Sequence, residues 1–557
     1  MRKLAALFLC LALVMSFMAV GAAAEETKTG MAKGFGGELT VEVTVDGDVI
    51  TGVTVTQNSE TQGIGSNAVE QLPAAIVAAG NTEVDGVAGA TVSSNAIKAA
   101  VLNALDPENN PYEAPVAQET VPVELAASDA YLGFGVANNG RVGPGKDDTD
   151  TQVYSFNSVY AQVIFDADGK ILLCNVDELE VATPNYDGAT MPHFSGFPGQ
   201  GGYNLWNDET QKVDGKTEDT EETFQTEIAG WQTTRQRGEG YQLSSGTWTS
   251  EMNKFQEVFV GKTVDEVEAW FAAYCSDVNG RPLTAESSKE GDAEKYAALT
   301  EEEKAMLVDV TSGATMSLKD GHGDILAAVR AAYENRQPVS LEGVAGMGFG
   351  LSTSGRVGPG KDDTDTQVYS INEVLATTLV DAQGKILALY VDQLEVATPN
   401  YDGAGMPHFG GFPGQGGYNL WDDEAQKVNG KTEDTDDTFL AEVSGWQTKR
   451  ERGESYQLSS GTWTSEMNKF QEVFAGKTAD EISAWFAAYC SDANGRPLTV
   501  ESSKEGDAEK YAALSEDDKA MLADVTSGAT MSLKDGHGDI LAAIAASVNN
   551  LVEITVK

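Results

Sequence analysis

The feature that most constrains how this chain can fold is a repeat. Residues 140–206 align with 355–421 at a constant offset of 215, and 53 of those 67 positions are identical. The stretch Tyr241–Val260 recurs at Tyr456–Ala475 with only the last residue changed. A period this long exceeds any solenoid unit, so each copy reads as a whole folding unit from a tandem duplication. The copies are placed at 128–335 and 343–550, joined through Glu334-Asn335-Arg336-Gln337-Pro338. A smaller unit, residues 30–106, lies upstream. The acidic, proline-bearing stretch 107–127 between them reads as an extended linker.

Charge excludes some partners. The chain's 557 residues carry 37 Lys+Arg against 86 Asp+Glu, a formal net charge of −49. Nucleic acid and anionic membrane surfaces would repel it. A hydrophobic fraction of 41% is nonetheless that of a chain able to build cores. At the N-terminus, Arg2 and Lys3 precede the apolar run Leu4–Val20 and the small residues Gly21–Ala24. This is the pattern of a secretory signal over residues 1–24, which implies a secreted or extracytoplasmic protein of the cell envelope. The run is short for a membrane span, so no transmembrane anchor is expected. Cys174, Cys275 and Cys490 make an odd set without a C-x-x-C pair, which argues against a disulfide framework.

Local patterns point to an α+β fold. In the small unit, residues 38–45 and 49–56 are β-branched runs around Asp46-Gly47-Asp48, a hairpin signal. Helices are expected over 72–79, with Pro73 in the first turn, and over 95–105. In the first large copy, strands are expected at 160–165 and 170–176, and helices at 251–260, 264–274 and 325–332. Strands first and helices later in each unit imply a mainly antiparallel sheet with flanking helices.

One short motif occurs in all three units. It reads Asp85-Gly86-Val87-Ala88-Gly89-Ala90-Thr91 in the small unit. The large copies carry Asp309-Val310-Thr311-Ser312-Gly313-Ala314-Thr315 and Asp524-Val525-Thr526-Ser527-Gly528-Ala529-Thr530. Each stands ahead of its unit's last expected helix, where small residues and a helix N-terminus suit an anion. On chemistry alone, a turn and helix cap explains the same residues.

Asp-x-x-(Ser/Thr)-Gly-Ala-Thr resembles the flavinylation motif of FMN-binding domains, whose last Thr carries FMN through a phosphoester. Gly34-Phe35-Gly36-Gly37-Glu38 and Glu60-Thr61-Gln62-Gly63-Ile64-Gly65 resemble that family's glycine-rich first strand and Glu-Thr-x-Gly loop. These are features of the flavin subunits of Rnf-type and sodium-pumping quinone reductase complexes. The large copies are more similar to surface flavoproteins of Gram-positive extracellular electron transfer. They share Asp166–Ile171 and Asp381–Ile386, Trp248 and Trp463 ahead of a helix, Gly261-Lys262-Thr263 and its counterpart 476–478, and the motif near the end.

The resemblance implies up to three covalent FMN groups, on Thr91, Thr315 and Thr530. The small unit departs from the pattern, with Ala88 where Ser or Thr is usual. Asp85, Asp309 and Asp524 are implied to shape the loop or to contact an FAD-dependent FMN transferase. The implied donor is a membrane complex, quinone-linked or Rnf-like. The function expected is electron carriage outside the cytoplasm rather than stand-alone catalysis, and no residue need be a nucleophilic catalyst. Two alternatives stand beside it: a redox subunit feeding a separate reductase, and a non-redox surface binding module that retains the fold.

Other candidates read as structure. The acidic loop 143–150 lacks the glycine and terminal Glu of an EF-hand. His322 and His537 stand between aspartates, a partial metal-ligand pattern, but none of His193, His408, His322 and His537 has a second His or Cys at metal spacing. Gly346-Met347-Gly348-Phe349-Gly350 becomes Tyr131-Leu132-Gly133-Phe134-Gly135 in the other copy, which argues against a dinucleotide fingerprint. For the aromatic, glycine-rich stretch 194–206, flavin cover, docking surface and ordinary packing all remain open.

Overall fold

The computed structural model describes residues 26–556 apart from 35–36, 48, 58–64, 83, 85, 88–90, 108, 113–122, 126–128, 148, 187–190, 208–209, 211, 244, 402–404, 423, 426 and 459. The signal segment, residues 1–24, lies outside the described residues. Two compact units divide the chain, Met1–Gln118 and Glu119–Lys557. Mixed helices and antiparallel sheets make the architecture α+β, as expected.

In the first unit, β1 (Glu26–Gly34), β2 (Gly37–Asp46) and β3 (Val49–Gln57) form an antiparallel meander. Two helices accompany it, α1 (Gly65–Ala79) and α2 (Thr91–Leu105). Strand alternation sets the core: Leu39, Val41, Val43 and Val45 are buried, while Glu42 on the other face is exposed. Against them pack Ala68, Leu72 and Ile76 of α1 and Ile97 and Val101 of α2. That stripe at i, i+4 and i+8 starts α1 well before residue 72. Pro73 is therefore inside the helix and not in its first turn, a correction to the expectation.

The second unit holds both large copies around one shared core. In the first copy, β5 (Asp129–Lys146), β6 (Gln152–Phe165) and β7 (Ile171–Ala182) form an antiparallel sheet, following the short β4 (Val123–Leu125). The helices that matter below are α3 (Glu221–Ala229), α4 (Trp248–Phe259), α5 (Val264–Tyr274), α6 (Glu301–Thr311) and α7 (Ile325–Glu334). Strand β8 (Gln337–Ser340) returns to pair with β5. The second copy repeats the order with β9 (Gly346–Lys361), β10 (Gln367–Val380) and β11 (Ile386–Ala397). Its helices are α8 (Asp436–Ser444), α9 (Trp463–Phe474), α10 (Ala479–Tyr489), α11 (Glu516–Thr526) and α12 (Ile540–Asn549). Strand β12 (Leu551–Val556) closes this sheet against β9 and also pairs in parallel with β4.

Each central strand is buried on both faces. Phe156 and Tyr160 of β6 point into the core shared by the two copies, whereas Val159, Ala161, Val163 and Phe165 meet the first copy's own helices. The second copy has its own equivalent helical core around Val374, Trp463 and Phe470. The layers are therefore helices, sheet, shared core, sheet, helices. Contacts across the shared core are reciprocal, as at an isologous dimer interface. Tyr154 hydroxyl donates to Asp436 at 2.9 Å and its counterpart Tyr369 to Glu221 at 3.3 Å. Gln200 Nε2 donates to Gly410 O at 2.9 Å, and Gln415 Nε2 to Ser195 O at 3.3 Å.

The glycines of the Gly-x-Gly pairs serve close packing. A Cβ on Gly133 or Gly135 would fall on the α7 backbone, and one on Gly348 or Gly350 on that of α12. The aromatic stretch 194–206 is packing as well. Phe194, Phe197 and Tyr203, with Phe409, Phe412 and Tyr418, are buried in the shared core. All three cysteines after residue 25 are buried and unpaired.

Candidate functional site

The Thr of each large copy sits after a helix rather than before one. Helix α6 ends at Thr311, and Ser312 caps it in a right-handed conformation with its hydroxyl donating to Asp309 O at 2.7 Å. Ala314 is fully buried and donates its N–H to Val310 O at 2.9 Å, which turns the chain and leaves Thr315 half-buried. A short hairpin, residues 319–324, then intervenes before α7. The same holds for Ser527, Gly528, Ala529 and Thr530 after α11. The expectation of an anion cradle at the next helix's N-terminus thus fails for Thr315 and Thr530. The α7 and α12 caps are taken instead by Asp324 and Asp539, whose side chains accept the helices' own N–H groups.

What holds the Thr is a carboxylate that sequence reasoning missed. Glu251, in the first turn of α4, is completely buried. Its Oε2 accepts the backbone N–H groups of Thr315 and Met316, both at 2.7 Å. The Thr315 hydroxyl lies 3.3 and 3.4 Å from the two carboxylate oxygens and 3.1 Å from Ser245 Oγ. In the second copy, Glu466 accepts from Thr530 at 2.6 Å and Met531 at 2.7 Å, and Ser460 Oγ is 2.9 Å from the Thr530 hydroxyl. A carboxylate near a helix N-terminus is stabilised by the helix dipole.

A lysine completes the arrangement one turn further along α4. The Lys254 side chain passes over the motif glycine, so that a Cβ on Gly313 would meet its Cγ at 3.4 Å. Lys254 Nζ pairs with Asp309 at 3.0 Å and with Glu257 at 3.4 Å, and Lys469 pairs with Asp524 at 2.9 Å. The hydrogen bond to Asp309 keeps the Lys254 ammonium charged to higher pH than usual. The motif aspartates therefore position a cation above the Thr loop. The signal in the sequence was the block Trp-Thr-Ser-Glu-Met-Asn-Lys, identical at 248–254 and 463–469.

In the first unit, Thr91 is the first residue of α2, so there the N-terminal placement holds. Val87 N–H donates to Ser94 Oγ at 3.0 Å, tying the preceding loop to the helix's first turn. Asp85, Gly89, Ala90, Glu60 and Thr61 lie outside the described residues. Beside β3 and α1 runs an open groove of about 570 Å³, lined by Val53, Val55, Val69, Pro73 and Val77 among others.

The histidines have structural partners. His322 and His537 bond Asp320 and Asp535 of their own turns, at 3.0 and 2.9 Å. His193 and His408 ring nitrogens face Tyr186 O and Tyr401 O. Among the described residues, no group of three or more His, Cys, Asp or Glu side chains could hold a metal ion. No described helix is long and apolar enough to cross a membrane.

Comparison with known proteins agrees with the small unit's features. Residues 34–106 match the FMN-binding domain family. The chain is 36% identical over 227 residues to chlorophenol reductase of Desulfitobacterium hafniense, a match over 39% of this chain and 61% of the relative. It is 44% identical over 88 residues to urocanate reductase of Eggerthella lenta, covering 15% and 14% of the two chains. It is 26% identical over 246 residues to NADH:acrylate oxidoreductase of Vibrio harveyi, covering 42% and 23%. The chain thus spans 61% of the first relative's length and less of the others. These findings show an FMN-binding domain at residues 34–106 and, over part of the chain, similarity to proteins named as reductases or an oxidoreductase.

Proposed function

We propose that this chain is an exported multi-flavin electron carrier with FMN joined by phosphoester to Thr315, Thr530 and Thr91. One observation carries the reading. The Thr hydroxyl, the buried carboxylate, the neighbouring serine and the overlying lysine are built twice with the same geometry, at Thr315 and Thr530. These residues fit the group: a half-buried hydroxyl takes a phosphoester, and a lysine on the helix beside the loop offsets its charge. Bound FMN would supply the electron exchange, and the protein supplies attachment and orientation.

An FAD-dependent FMN transferase is the modifying partner, and a membrane-bound quinone-linked or Rnf-like complex the electron donor. The pattern of residues 1–24 supports placement at the cell envelope. The names of the three relatives favour one second reading, a redox subunit that passes electrons to a separate reductase.

Intact mass after co-expression with the transferase tests the reading. Three FMN additions are expected, one lost with each of Thr91→Ala, Thr315→Ala and Thr530→Ala. Protein of unmodified mass would refute it.

A further inference from the structure

We propose that Glu251 and Lys254, with Glu466 and Lys469 in the second copy, are the acceptor-side residues of flavin attachment. The carboxylate takes the proton of the Thr hydroxyl, and the ammonium takes the charge of the new phosphodiester. The inference rests on the flavin reading above and deepens it.

The geometry is more than a loop anchor requires. Two backbone N–H groups need one acceptor oxygen, and Oε2 of Glu251 supplies it. The same carboxylate also faces the hydroxyl: Thr315 Oγ1 lies 3.3 Å from Glu251 Oε2 and 3.4 Å from Oε1, and Thr530 Oγ1 lies 3.3 Å from Glu466 Oε2. In the second copy, Glu466 Oε1 is buried with no hydrogen-bond partner among the described residues. An unpartnered buried carboxylate oxygen is costly, which marks it as kept for something other than stability. The hydroxyl-to-carboxylate distances exceed those of a tight O–H···O bond, as expected for a base poised before its substrate arrives. The lysine stands three residues on, on the same helix face, its stem against the motif glycine. The set is intact in both copies although other buried positions have diverged, such as Glu178 against Gln393 and Thr234 against Lys449.

The step balances without any redox change. Thr315 Oγ attacks the phosphorus on the flavin side of a flavin dinucleotide's pyrophosphate. The Oγ–P bond forms as the bond from that phosphorus to the bridging oxygen breaks. The bridging oxygen leaves with its electron pair on adenosine monophosphate, and the Thr proton passes to Glu251 and then to water. The product is a phosphodiester with one negative charge beside Lys254.

The test uses the full chain with the transferase and a flavin dinucleotide, following FMN at each Thr by peptide mass. Glu251→Gln keeps an oxygen for both N–H groups but cannot take the proton. Attachment at Thr315 is expected to slow on the order of 100-fold, while Thr530 in the same molecule is labelled normally. Glu466→Gln should give the mirror result. Lys254→Ala should slow Thr315 and Lys254→Arg should restore it.

Equal labelling of Thr315 and Thr530 in Glu251→Gln would overturn the inference while leaving covalent attachment standing. So would loss of labelling together with loss of hydrogen-exchange protection at the Thr315 and Met316 amides, because the role would then be structural. Absence of FMN from both Thr315 and Thr530 in the wild type would instead refute the flavin reading itself.

Discussion

Glu373 should make the stability of the shared core fall as pH rises from acid to neutral. It lies on β10, is 1% exposed, and its Oε2 accepts from the Tyr160 hydroxyl of the other copy at 2.7 Å. Its counterpart in the first copy is Ser158, and that of Tyr160 is Leu375, so the bond exists on one side of the reciprocal core only. Burial pushes the carboxyl up from 4.5 to about 7, and the Tyr160 hydrogen bond tempers the rise. A carboxyl with a raised native pKa holds its proton in the folded state where the unfolded chain has lost it. The resulting stability is complete below about 4.5 and is lost as pH passes through about 7.

The shift corresponds to about 3 kcal/mol, most of it spread between pH 5 and pH 8. Glu373→Gln keeps an acceptor for Tyr160 and removes the titration. Urea unfolding at both pH values, followed by tryptophan fluorescence, should show wild type losing about 2–3 kcal/mol more than the variant over that interval. Parallel pH profiles for the two proteins would refute the assignment of a protonated Glu373.

Two further predictions concern the same unit. Lys449 and Glu395 form an ion pair at 2.9 Å with side chains 3% and 2% exposed; burial alone would raise the Glu395 carboxyl, but Lys449 holds it below its ordinary value. Lys449→Met leaves that carboxylate without its closest cation and should cost about 3–5 kcal/mol in urea unfolding, against less than about 1 kcal/mol for an exposed pair such as Lys361–Asp365. Gly135→Ala places a Cβ on the α7 backbone and should destabilise the unit by about 1–3 kcal/mol by the same measurement, whereas Gly410→Ala, where the added Cβ meets nothing nearer than 3.6 Å and the other copy already carries Ser195, should lose less.

The parts of the fold legible in the sequence were those set by local pattern. The hairpin of β2 and β3, helix α5 and the start of α7 follow from β-branched runs, a turn, and apolar spacing that each segment carries in itself. The starts of α1 and α4 did not follow, because their first turns hold polar and small residues whose helical state depends on what Ala68 and Trp248 pack against. In the site, Thr315 and its motif were legible from three recurrences of one short string. Glu251 was not, because a lone Glu in a helix's first turn is the commonest of solvent-facing residues, and only burial distinguishes it.

By itself the sequence determined that two like units had to be built from one pattern, that each would combine strands with helices, and that a Gly-Ala-Thr would stand late in each. The tertiary structure alone decided that the two sheets face each other across a single core, which is why β6 and β10 are buried on both faces. It also decided that Thr315 and Thr530 sit beyond a helix C-terminus, held by a carboxylate 64 residues away in the chain. The reason is physical. Periodicity reports which face of an element is apolar, but the partner of that face, and the side chain that meets a distant loop, are set by packing between elements that no local window contains.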